Sequence, residues 1–157
     1  MANVSRAVVR GVDLASAEKI IDYALKVARQ KDLRPMTIGV LDAGGDLIAF
    51  KREDGTGIRR FDVVMGKAFG SLVMNRSSRG IGQIAERAPA FIQSLAVATQ
   101  GRLVPTPGGV LIKNEAGEII GAVGSSGDDA DDDEAIAIAA VREAGFIPEP
   151  AEPTGAK

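Results

Sequence analysis

Apolar positions between residues 14 and 30 recur at helical spacing: Ala17, Ile20, Ile21, Ala24, Leu25, Val27 and Ala28 share one face, with Lys19, Asp22, Lys26 and Arg29 mostly outside it. Asp13 stands where such a helix needs an N-cap. The period then shortens. Met36–Leu41 and Leu47–Arg52 read as strands around Asp42-Ala-Gly-Gly-Asp46, a turn whose glycines allow positive φ. The spacing of Phe61, Val64, Met65, Ala68, Phe69 and Leu72 predicts a second helix over 60–74, with Gly66 and Gly70 on another face where a neighbour can come close. A short helix opens at Ser77 or Ser78 and runs to about Glu86, and Pro89 suits the first turn of another through Ala98.

The second half repeats the first hairpin. Leu103–Val104 reads as a short strand and Pro105–Gly109 as a shaped loop. Val110–Lys113 and Glu118–Val123 flank Asn114-Glu-Ala-Gly117 as a second hairpin. Gly124-Ser-Ser-Gly127 reads as a turn that presents backbone N–H groups, followed by a helix over about Asp132–Glu143. Residues 148–157 read as a flexible tail after a single domain spanning 1–147. The fold class expected is α+β, an antiparallel sheet flanked by helices.

Composition narrows the chemistry. The chain has no histidine and no cysteine, which removes Ser-His catalysis, histidine ligation of haem or zinc, thiolate chemistry and disulfides. Aromatic residues are 4% of the chain and the basic side chains are scattered, so no nucleic-acid surface is expected. No run approaches the roughly 18 apolar residues of a membrane span, and no signal-like segment opens the chain; a cytoplasmic protein without a membrane partner is the expectation. Residues 1–100 carry net positive and 101–157 net negative charge, which suits contact between subunits and equally suits an ordinary solvated surface.

Taken in order, Val40-Leu-Asp-Ala-Gly-Gly-Asp-Leu-Ile-Ala-Phe50, Gly66-Lys67-Ala68, Pro107-Gly-Gly109, Gly121-Ala-Val-Gly-Ser-Ser-Gly127 and Asp133-Glu-Ala-Ile-Ala137 resemble the GlcG/HbpS-like haem-degrading domain family, found also as the C-terminal domain of PduO-type proteins. The likeness covers nearly all of residues 12–145. It implies a profilin- or PAS-like layout of helices on an antiparallel sheet, and a homo-oligomer, a dimer or higher. It also implies a small-molecule ligand, an anionic organic compound or a tetrapyrrole. Within this sequence Tyr23 is the only phenol and lies on the first helix, and Met36, Met65 and Met74 fall among core positions, so no cofactor is expected.

The resemblance directs attention to Lys67, either a cation for a ligand's carboxylate or a solvent-facing helical lysine. Arg59 and Arg60 precede it, and either could clamp a carboxylate. Asp133 and Glu134 are the candidate catalytic acid and base beside the Pro107–Gly109 loop. Gly108, Gly109, Ser125, Ser126 and Gly127 are candidate donors to an anion, or else turn formers. The acidic run 128–134 lacks the spacing of a calcium loop, and no metal is assigned to it. The alternative function is a cofactor-independent lyase or isomerase for a small carboxylated, possibly aromatic substrate.

Overall fold

A computed structural model describes residues 11–155. Helix α1 covers Leu14–Gln30, and the Asp13 carboxylate accepts from the Ser16 N–H at 2.8 Å, the cap expected at that position. Strands β1 (Thr37–Asp42) and β2 (Leu47–Arg52) form the first hairpin. Helices α2 (Arg60–Met74), α3 (Ser78–Arg87) and α4 (Pro89–Ala98) follow. Strands β3 (Gly109–Lys113) and β4 (Ile119–Ser126) form the second hairpin, and α5 (Ala130–Glu143) and a short β5 (Ile147–Glu149) end the chain.

The five strands lie in the order β2-β1-β4-β3-β5, and every pair is antiparallel. The two hairpins meet edge to edge through β1 and β4, and each carries one register irregularity, at Val40/Leu41 and at Ile112/Lys113. Strand alternation then builds a core on each face. Ile38, Val40, Val110, Ile112 and Val123 pack with Ile20, Ile21, Ile136 and Ile138 of α1 and α5. Leu41, Leu111 and Ala122 point the other way, onto Val64, Met65 and Ala68 of α2. A smaller cluster of Ile81, Ile92 and Leu103 holds α3 and α4 to the α2 side. The result is the expected α+β class, in three layers.

Two local expectations are corrected. Gly124-Ser-Ser126 is strand rather than turn: β4 continues because β1 offers partners as far as Thr37, opposite Ser126. Leu103 and Val104 form no strand. They lie over α2 instead, where Gly70 and Gly66 have no side chains to obstruct them, and the Val104 N–H donates to the Gly66 carbonyl at 3.1 Å. Within the segment read as a tail, residues 148–149 belong to β5, paired to β3, Arg142 bonds Ala151 and Glu152, and Arg79 donates to the Thr154 carbonyl.

Candidate functional site

Lys67 lies halfway along α2, on one face of the sheet, and Asp133 lies in the first turn of α5, on the other. They meet past the sheet's end, where β4 finishes and β3 begins. The Lys67 ammonium donates to Asp133 Oδ2 at 3.0 Å and to the Ser125 carbonyl at 2.9 Å. Both side chains are 3% exposed, so the solvent-facing reading of Lys67 is wrong. The crossing depends on glycine. Gly108 has φ +119, and a Cβ there would stand 2.5 Å from the Ser125 carbonyl and 2.7 Å from Lys67 Nζ. A Cβ at Gly109 would run into the Lys67 carbonyl, and one at Gly124 into the Val64 carbonyl.

The neighbours of this pair continue it on both sides. Asp133 Oδ1 accepts from the Asp128 N–H at 3.0 Å. Glu134, fully buried, takes the Arg79 Nε–H on Oε2 at 2.8 Å, and Arg79 also grips Asp131. Toward the other end of α2, Arg60 donates to Ser126 Oγ at 2.8 Å. The Ser78 hydroxyl accepts from the Gly109 N–H at 2.7 Å, fixing the start of α3 to the glycine loop. Of the four buried side-chain atoms without a partner among the described residues, two lie here: Ser125 Oγ and Glu134 Oε1.

Burial sets the electrostatics. It pushes the Lys67 ammonium below its ordinary value, against the attraction of Asp133. Burial likewise raises Asp133, against Lys67, and raises Glu134, against its bond to Arg79. Burial moves all three groups toward neutrality, and the Lys67–Asp133 contact, the Asp128 N–H and Arg79 act against it. Lys67 keeps one of its three N–H groups for another acceptor.

Of the residues singled out from sequence, Lys67, Asp133, Glu134, Gly108, Gly109, Ser125 and Ser126 converge here, with Arg60 at the margin. Gly127 does not: a Cβ there would meet the Met36 sulfur and the Pro35 carbonyl, so it is a packing glycine. Arg59 is not gathered in either. It is a left-handed residue (φ 64) before α2 and pairs with Asp62 at 3.5 Å. Sequence reasoning missed Arg79 and Asp131, because nothing in the local pattern tells which basic side chain of α3 will reach α5. The carboxylates of Asp128, Asp129 and Asp132 come within 4.8 Å of one another, and Arg34 already pairs with the first two, holding Asp128 well below the usual carboxylate range.

An all-antiparallel sheet between helical layers, closed at one end by a buried lysine–carboxylate pair, is the class of protein that this fold defines. The chain belongs to the HbpS-like family, described as haem degrading protein HbpS-like, which it matches over residues 12–142. An uncharacterized 15.0 kDa protein of the dhaT-dhaS intergenic region of Citrobacter freundii is 28% identical over 127 residues, 80% of this chain and 87% of that one. Among solved structures, a PduOC:haem complex superposes with TM-score 0.78 at 20% identity, covering 87% of this chain and 96% of that one. Protein ORFY of Klebsiella pneumoniae gives TM-score 0.74 at 22% identity, over 92% and 97% of the two chains.

The residues here do not fit an axially ligated haem iron. The chain has neither histidine nor cysteine, Met36 is fully enclosed in the core, Met65 nearly so, and Tyr23 packs from α1. Lys67 is already committed to Asp133.

Proposed function

We propose that the protein binds a small anionic organic compound at the Lys67 end of the sheet. The observation that supports this best is a buried ammonium with one N–H to spare, packed closely against the backbone of Gly108 and Gly109. An anion arriving there competes with Asp133. Since burial already raises the Asp133 carboxyl, that carboxyl takes up a proton as the ligand takes over the ammonium. Binding then consumes a proton, and affinity rises as pH falls.

The haem-bound PduOC relative supports a tetrapyrrole ligand instead, and the donor set of this chain weighs against ligation of its iron. Titration with haemin tests that: a stoichiometric complex with a sharp Soret band establishes the tetrapyrrole reading. Calorimetry with benzoate and malonate as probes tests the first. Expected is saturable binding with net proton uptake, measured in buffers of different ionisation enthalpy. Heat that is independent of buffer, or none, removes the anion reading.

A second reading, an isomerase or lyase that moves protons without a cofactor, is supported by Glu134 Oε1, a buried acceptor with no partner beside a raised carboxyl. In it Lys67 holds a substrate carboxylate, while Asp133 or Glu134 takes a proton from carbon and returns it. Deuterium exchange into a carboxylate probe in heavy water, lost in Glu134→Gln and Asp133→Asn, is the expected signature. Exchange at the uncatalysed rate with every probe that binds leaves a binding protein.

A further inference from the structure

A cavity of about 470 Å³ opens away from the Lys67 cluster and shares no lining residue with it. One wall is a stripe of α2 in which Phe61, Met65 and Phe69 succeed one another at intervals of one helical turn. Leu41 and Leu47 extend that apolar wall onto the first hairpin. The volume is that of a small-molecule site.

The charges around it are placed apart. Arg102, from the loop after α4, lays its guanidinium over the Phe69 ring, 3.8 Å from the centroid. Its Nε reaches the Thr99 carbonyl at 3.4 Å, and among the described residues it makes no ion pair. Asp46, in the same lining, immediately precedes β2. Its N–H is bonded to the Asp42 carboxylate at 3.0 Å, which fixes the backbone, while its own carboxylate is paired with no cation among the described residues. Asp62, also in the lining, is held only by the exposed Arg59 at 3.5 Å. Arg102, Asp46 and Asp62 thus line one cavity with Phe61 and Phe69, and Arg102 is paired with neither carboxylate.

A ligand that satisfies all of this carries a ring, an acid and a basic group. We propose that this cavity binds a small aromatic zwitterion, with its ring against Phe61 and Phe69, its carboxylate on the Arg102 fork and its ammonium at Asp46 and Asp62. Stacking on Phe69 pre-orients the guanidinium, so little freedom is lost when a carboxylate docks. Gly45 keeps that ring in place: a Cβ there would lie 2.7 Å from the Phe69 ring. The inference does not depend on the function proposed for Lys67.

The test is calorimetry with phenylalanine as probe, beside 3-phenylpropionate, phenethylamine and alanine, which lack the ammonium, the carboxylate and the ring in turn. Phenylalanine is expected to bind once per chain, and each deletion to weaken binding by about tenfold or more, the cost of one charge-assisted contact. Arg102→Gln is expected to weaken phenylalanine and leave phenethylamine unchanged, and Asp46→Asn with Asp62→Asn to weaken phenylalanine and leave 3-phenylpropionate unchanged. The side chains of Arg102, Asp46 and Asp62 are on the surface, so these variants fold. No saturable binding of phenylalanine up to its solubility, equal affinity for 3-phenylpropionate, or indifference to Arg102→Gln overturns the proposal. So does a wild-type dimer that fails to bind and is dissolved by Phe61→Ser, since a second copy would then fill the groove.

Discussion

At the scale of single residues, the Lys67–Asp133 pair decides most. Removing one partner strands the other charge in a site with almost no water, and the cost expected for Lys67→Met is about 3–5 kcal/mol. Replacing both by apolar groups abolishes the problem, so Lys67→Met with Asp133→Leu is expected to recover most of that loss. Urea denaturation of the two single variants and the double closes the cycle. Near-additive losses would mean that the two side chains are not coupled. The pH dependence of stability has a definite sign. Asp133 and Glu134 have folded values raised by burial, so the folded state binds more protons than the unfolded chain just above the ordinary carboxylate range. Their contribution is fully present below the unfolded value, roughly pH 4, and is lost as pH rises through the folded value. Asp128 acts oppositely: Arg34 lowers it, so its contribution is present above the unfolded value and lost in acid. Asp133→Asn is therefore expected to flatten the decline in unfolding free energy on going up from about pH 4 toward neutrality. A decline as steep as in the wild type would assign it to another group.

At the scale of elements, glycine governs how closely α2 and the sheet approach. Gly124 in β4 lies under Val64, whose carbonyl occupies the place of a Cβ. Gly117 in the second hairpin's turn has φ +79 and open space around it. Gly117→Ala is expected to cost about 1–2 kcal/mol, the price of a left-handed alanine. Gly124→Ala must also lift α2 off the sheet, and with it the helix that carries Lys67, so its cost should exceed that of Gly117→Ala clearly. Thermal unfolding of the two variants compares them, and equal shifts would mean that α2 gives way freely. What could be read beforehand follows the same division. Asp13, the apolar stripe of α1 and both hairpins were legible because each is a local pattern, and Arg60–Met74 was bounded correctly as a helix. Gly124–Ser126 looks like a turn until β1 supplies its ladder, and Leu103–Val104 looks like a strand until α2 supplies glycines to lie on. Both were decided by segments distant in sequence. Arg79 was invisible for that reason too: it is the reach of its side chain from α3 to the first turn of α5 that turns one arginine among several into the partner of a buried glutamate.

At the scale of the whole molecule, both helical layers are held together at the Lys67 end, while one outer face has little to cover it. Helix α4 is apolar along most of its length and gives Ile92, with half-buried Leu95 and Ala96, to the core; Phe91 is 50% and Val97 80% exposed. Resemblance to the family implied an oligomer, and α4 carries two of the exposed apolar side chains that could serve one, beside others such as Ile58 and Val73. A stable homodimer buries about 800 Å² per partner, more than two side chains supply, so the interface must extend beyond them with Phe91 and Val97 near its centre. Sedimentation equilibrium is expected to give a dimer or larger. Phe91→Glu with Val97→Lys, both on the outside of the monomer, should shift it to a single chain with unfolding otherwise unchanged. An oligomer built on α4 leaves the cavity beneath Phe61 and Phe69 open, so ligand binding there should survive the loss of assembly. A wild-type protein that sediments only as one chain would remove the oligomer. An oligomer indifferent to the two substitutions would move its interface off α4.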